Sequence, residues 1–176
     1  MGTKQADLPS TRAQWQQRAD ALSFRHQAFI GGKWADAASG KRFDALSPID
    51  GKMLVQVAEC GAEDVDRAVR AARAAFDKGA WANASPVQRK KKLQKLARLV
   101  EQHAMELALL ETLDMGKPIE DALKVDVAAS VRCLDWTAEA IDKVFDQVAP
   151  TGHDELERIT HEPLGVVAAI VPWNFP

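Results

Sequence analysis

Val166-Val167-Ala168-Ala169-Ile170-Val171, followed at once by Pro172-Trp173-Asn174-Phe175-Pro176, decides how this 176-residue chain reads. An apolar run without alternation is the pattern of a strand covered on both faces of a parallel sheet. Such a strand needs neighbours reached through crossovers of about a dozen residues or more. Five residues follow Val171, so the crossover is expected beyond Pro176 and the sequence as given is expected to be truncated. The alternative is an antiparallel pairing with strands upstream.

Working backwards from that run, Leu156 to Glu162 is mostly polar and reads as an exposed or edge strand. Three helices are expected before it. The first runs from Ala62, with Val65, Ala68, Val69, Ala72 and Phe76 at helical spacing, and Gly79 and Trp81 close it. The second opens on Ser85, with Pro86 in the first helical position and Gln88 completing a capping box. Its stripe of Leu93, Leu96, Val100, Leu107 and Leu110 carries it to about Leu113. Gly116 and Pro118 then interrupt. A third helix is expected to reach about Phe145, its buried face including Val125, Ala129, Cys133, Trp136, Ala140 and Val144. The first sixty residues read as a small antiparallel element. Ala28-Phe29-Ile30 and Lys33-Trp34 flank Gly31-Gly32, and Asp50-Gly51 turns into the strand Met53-Leu54-Val55-Gln56-Val57. Residues 11–23, with Trp15, Ala19 and Leu22, suit a short helix lying on this body.

Composition narrows the class. A 47% hydrophobic content supplies core material, which argues against disorder or a coiled rod. A net charge of −2 and a pI near 6.1 give no electrostatic footprint for nucleic acid or an anionic membrane. The basic run Arg89-Lys90-Lys91-Lys92 reads as the solvated end of a helix. Charges scattered through the first thirty residues do not suit a signal peptide, and no segment approaches the ~20 apolar residues of a membrane helix. Cys60 and Cys133 stand far apart with no ligand-spaced histidine, so neither a disulfide framework nor a metal site is expected, and both cysteines read as core residues. A cytoplasmic location follows as the expectation.

The closing pentapeptide Pro172-Trp173-Asn174-Phe175-Pro176 resembles a signature of the NAD(P)-dependent aldehyde dehydrogenase superfamily. Three further blocks resemble the family in the same order: Phe29-Ile30-Gly31-Gly32-Lys33-Trp34, Glu111-Thr112-Leu113-Asp114-Met115-Gly116-Lys117-Pro118 and His161-Glu162-Pro163-Leu164-Gly165-Val166. The stretches 109–119 and 136–144 are most similar to bacterial enzymes that oxidise γ-glutamyl-γ-aminobutyraldehyde and related aminoaldehydes. The resemblance implies an incomplete α/β fold, in which long helices precede the first strand of a dinucleotide-binding parallel sheet. It divides the chain into residues 1–150 of a cofactor-binding domain, 151–163 of an oligomerisation element, and 164–176 holding the first sheet strand and the start of the active-site motif. It also implies a homo-oligomeric parent that uses NAD or NADP. The family's catalytic cysteine, glutamate base and pyrophosphate-binding glycine motif would lie beyond Pro176, leaving the isolated chain inactive. The competing reading is a stand-alone interaction protein that pairs with full-length homologues.

The resemblance also assigns residues. The family attacks the aldehyde with a thiolate, passes hydride to nicotinamide and hydrolyses the thioester. Asn174 matches the amide that stabilises the oxyanion formed in the attack; an Asn in such a turn otherwise reads as a helix N-cap. Ile170, Val171 and Trp173 would border the cofactor groove, although a tryptophan is commonly a core or interface aromatic. Phe175 would line the substrate tunnel. Asp126 is the candidate for the polar tail of an aminoaldehyde, against the plainer reading of an exposed helix aspartate. Lys117 reads as a solvated loop lysine, and Asp114 as a turn former with a monovalent-cation site as the alternative.

Overall fold

The computed structural model describes residues 8–174. Helix α1 (Arg12–Asp20) begins at Thr11, whose hydroxyl accepts from Gln14 N while the Gln14 side chain accepts from Thr11 N, a reciprocal cap. Strands β1 (Ala28–Ile30) and β2 (Lys33–Ala35) form the expected hairpin, with Phe29 opposite Trp34 and their rings 4.9 Å apart. Strand β4 (Met53–Ala58) pairs antiparallel with β3 (Arg42–Leu46), an element the sequence reading omitted. Four of the five β3 residues are exposed, so no apolar run announces it.

Helix α2 (Ala62–Lys78) ends at Gly79 as expected. The carboxylate of Asp64 is buried and accepts from Gly61 N and Ala38 N, both at 2.9 Å, which ties the start of α2 to the loop after β2. Ser85 caps α3 (Pro86–Gln102) through Gln88. The second helix is shorter than expected, because His103 adopts φ −99° and ψ 16° and a separate helix α4 (Ala104–Met115) follows. Gly116 closes α4 at φ 80°, a left-handed position that leaves its N–H to bond Thr112 O at 2.9 Å.

The third helix departs from expectation more sharply. It consists of α5 (Ile119–Asp121), a π-helical turn (Ala122–Val127) and α6 (Ala128–Ala140). Ala122, Val127 and Ala138 are buried, whereas Val125, Cys133, Trp136 and Val144, placed in the core by their spacing, are exposed; Trp136 is 74% open. Cys60 is exposed as well, so neither cysteine is a core residue. Alanines let the helices approach closely. Ala97 of α3 and Ala138 of α6 are buried where those helices meet, and Ala108 of α4 packs with Ala122 and Val127 of the π turn. At the solvent edge of this layer Lys90 is drawn out of the basic run to bond Glu139 at 2.7 Å and Asp142 at 3.3 Å.

Beyond α6, β5 (Gln147–Ala149) and β6 (Glu157–Ile159) pair antiparallel as an exposed ribbon, in keeping with the edge strand expected there. The buried strand expected over 166–171 is not formed: among the described residues, 160–174 contain no helix and no ladder. A central parallel strand is defined by neighbours on both sides, and none of the described strands flanks this one. Ile170 is 98% exposed in consequence. The chain presents 13362 Å² of accessible surface, where a compact monomer of 19.3 kDa presents about 8,500 Å². Large apolar side chains are among the exposed ones, including Val65 and Val69 of α2.

Candidate functional site

The site begins with three charged side chains brought together by α4, the loop after it and the π turn. Glu111 sits on α4, Lys117 one residue past the Gly116 cap, and Asp126 in the π turn. Their side chains are 11%, 14% and 10% exposed respectively. Lys117 Nζ lies 3.2 Å from Glu111 Oε1, donates to Asp126 Oδ2, and donates to the backbone carbonyl of Asn174 at 3.1 Å. Lys117 is therefore not a solvated loop lysine, and Asp126 is not an exposed helix aspartate. One ammonium, with three donors in a tetrahedral arrangement, faces two carboxyls and a carbonyl.

Two carboxyls in one half-buried corner do not ionise alike. Burial, and then the neighbouring Asp126, push the Glu111 carboxyl above its ordinary range, against the pull of Lys117. Asp126 moves the other way: burial raises it, but hydrogen bonding with Glu111 and pairing with Lys117 outweigh that and hold it below the usual carboxylate range. The two carboxyls are thus driven apart, Glu111 upward and Asp126 downward, while Lys117 is pushed up chiefly by Asp126 and then by Glu111.

The corner opens onto a cavity of about 550 Å³ whose other walls include Phe24, Leu54, Val57 and Leu107. Arg25, Glu111, Asp114, Asp126 and Ser130 supply its polar edge, so an apolar molecule with one polar end matches the lining. Asp114 is exposed, and neither Cys60 nor Cys133 borders this cavity.

Of the residues singled out by sequence, Asn174 is brought to this corner through its backbone, with an exposed side chain. Ile170, Val171 and Trp173 are 98%, 65% and 81% exposed on the strip leading to it. Phe175 lies outside the described residues. The exposed strip offers one apolar wall to a flat ring, which fits the role of bordering a nicotinamide nucleotide. It carries no cation for the phosphates, so these residues can form only part of such a site. Sequence reasoning missed Glu111 altogether and misjudged Lys117. Both stand in the block 111–118, but only the fold around the π turn reveals that they meet Asp126.

Residues 34–176 match the model of the aldehyde dehydrogenase family. The chain is similar to the NADP/NAD-dependent aldehyde dehydrogenase PuuC of Escherichia coli K12, at 48% identity over 164 residues covering 93% of this chain and 33% of PuuC. Its structure superposes on P. syringae indole-3-acetaldehyde dehydrogenase in complex with NAD+ and IAA, with a TM-score of 0.93, 56% identity, and coverage of 96% of this chain and 34% of that one. It also superposes on γ-glutamyl-γ-aminobutyraldehyde dehydrogenase from Burkholderia cenocepacia, with a TM-score of 0.91, 53% identity, and coverage of 93% and 33%. The chain thus spans about a third of the length of the relatives it matches.

Proposed function

The chain belongs to the aldehyde dehydrogenase family, and on that footing we propose that the protein it forms oxidises an aldehyde to the carboxylic acid with NAD or NADP, residues 1–176 supplying the oxyanion amide. The carrying observation is the match over 34–176 ending on Pro172-Trp173-Asn174, with Asn174 anchored beside a half-buried charged corner. The nucleotide, when bound, supplies the hydride acceptor. The chain's own part is to bind and orient. The Asn174 amide would donate to the carbonyl oxygen as negative charge develops there, an uncharged donor that does not compete for the proton. Ile170, Val171 and Trp173 would border the nicotinamide side, and Phe175 the aldehyde side.

The proposed substrate is γ-glutamyl-γ-aminobutyraldehyde or a related aminoaldehyde. The likeness to PuuC and to the B. cenocepacia enzyme supports this, as does the polar edge of an otherwise apolar cavity. Asp126 would meet the polar tail by accepting a hydrogen bond, because Lys117 already balances its charge. Homo-oligomerisation through the exposed β5–β6 ribbon belongs to the same proposal. So does a cytoplasmic location, which the two unbridged cysteines suit. Among the described residues no helix is long and apolar enough to cross a membrane.

The test is cofactor reduction by the protein carrying this sequence at the family's full length. It compares γ-glutamyl-γ-aminobutyraldehyde, indole-3-acetaldehyde and an unsubstituted aliphatic aldehyde, with NAD and with NADP. The proposal expects the highest kcat/KM for the aminoaldehyde and no turnover by residues 1–176 alone. A higher kcat/KM for indole-3-acetaldehyde would move the substrate to the class named by the 56%-identical neighbour. Turnover by the 176 residues alone would place a nucleophile within them.

A further inference from the structure

We infer that Lys117 is a positioning residue for the oxyanion amide: clamped between Glu111 and Asp126, it holds the Asn174 peptide by its carbonyl and so fixes the backbone from which the Asn174 side chain projects. The inference rests on the reading of Asn174 as an oxyanion donor and adds the group that aims it.

The geometry carries the argument. Asn174 is tied to the helical layer by point contacts. The Lys117 bond to Asn174 O is one, made across 57 positions at 3.1 Å. A lysine alone at the end of a flexible stem would fix little, since ordering it costs rotamer entropy. Here that cost is met before the aldehyde arrives. Glu111 and Asp126 hold Nζ from two elements, the Gly116 cap sets the start of the Lys117 loop, and the π turn delivers Asp126. The same ammonium donates to the Asn174 carbonyl. A planar guanidinium could not satisfy those three acceptors from the same place. An oxyanion donor works only within a few tenths of an ångström of its target, so a carbonyl freed by one bond is enough to misplace the amide.

The double-mutant cycle between Lys117 and Asn174 tests this in the full-length protein. Lys117→Met keeps an unbranched stem one atom shorter and removes the donors. It is expected to lower kcat about tenfold for every aldehyde, with KM for the nucleotide unchanged. In an Asn174→Ala background the same substitution is expected to cost less than about twofold, because the donor it aims has gone. Since Lys117→Met strands two half-buried carboxyls, the triple variant Lys117→Met, Glu111→Gln, Asp126→Asn removes that charge and should melt normally while keeping the kcat loss. A normally melting triple variant with wild-type kcat, or losses that multiply fully in the Asn174→Ala background, overturns the positioning role while leaving the oxyanion reading intact. Wild-type kcat in Asn174→Ala alone removes the oxyanion reading and this inference with it.

Discussion

Asp126 carries two separable roles, as a partner of Lys117 and as a proposed contact for the substrate's polar tail. If it meets the tail, Asp126→Ala should raise KM for an aminoaldehyde more than for an aliphatic aldehyde of similar length; equal effects on both remove it from the substrate end. Its neighbour Glu111 gives a pH prediction. The raised carboxyl contributes stability that is fully present below the ordinary glutamate value of 4.5 and is lost as pH rises through the higher folded value. Glu111→Gln keeps a donor for Asp126 and cannot ionise. Its thermal midpoint should therefore equal the wild type's in mild acid and exceed it in mild alkali. A midpoint below the wild type's in alkali contradicts a raised Glu111 carboxyl. At this scale the sequence was misleading where burial decided. Lys117 and Asp126 look like ordinary surface charges until three elements converge on them.

Local capping chemistry made the helix starts legible. Ser85, Pro86 and Gln88 satisfy their own backbone donors whatever packs nearby, and the cap forms as read. Ser85→Ala should cost about 0.5–2 kcal/mol, measured as a lower denaturant midpoint with unchanged kcat; an unchanged midpoint would mean that the helix start is held by packing alone. The interior of the third helix was not legible, because it carries two apolar faces and the one with Val127 and Ala138 is the one that packs. Cys133 and Trp136 lie on a helical apolar stripe in the sequence and on the open face in the structure. The apolar run 166–171 failed for a different reason. Its composition describes a position in a sheet, and a sheet position exists only with its neighbours.

The molecule as a whole leaves apolar side chains open on the α2 stripe, the 164–173 strip and the β5–β6 ribbon. Its helical layer nevertheless builds one corner in full, where Glu111, Lys117 and Asp126 receive the Asn174 carbonyl. The central claim is that this corner presents an oxyanion donor to an aldehyde. The most direct measurement is kcat for aldehyde-dependent NAD(P)H formation by the full-length protein with Asn174→Asp, alongside its thermal midpoint. Aspartate keeps an oxygen that can cap a helix but replaces the donor with a negative charge. The account predicts a near-normal midpoint and a kcat lowered by at least the ~10²–10³ that loss of one oxyanion donor costs. A normal midpoint with near-normal kcat contradicts it and leaves Asn174 as a helix cap.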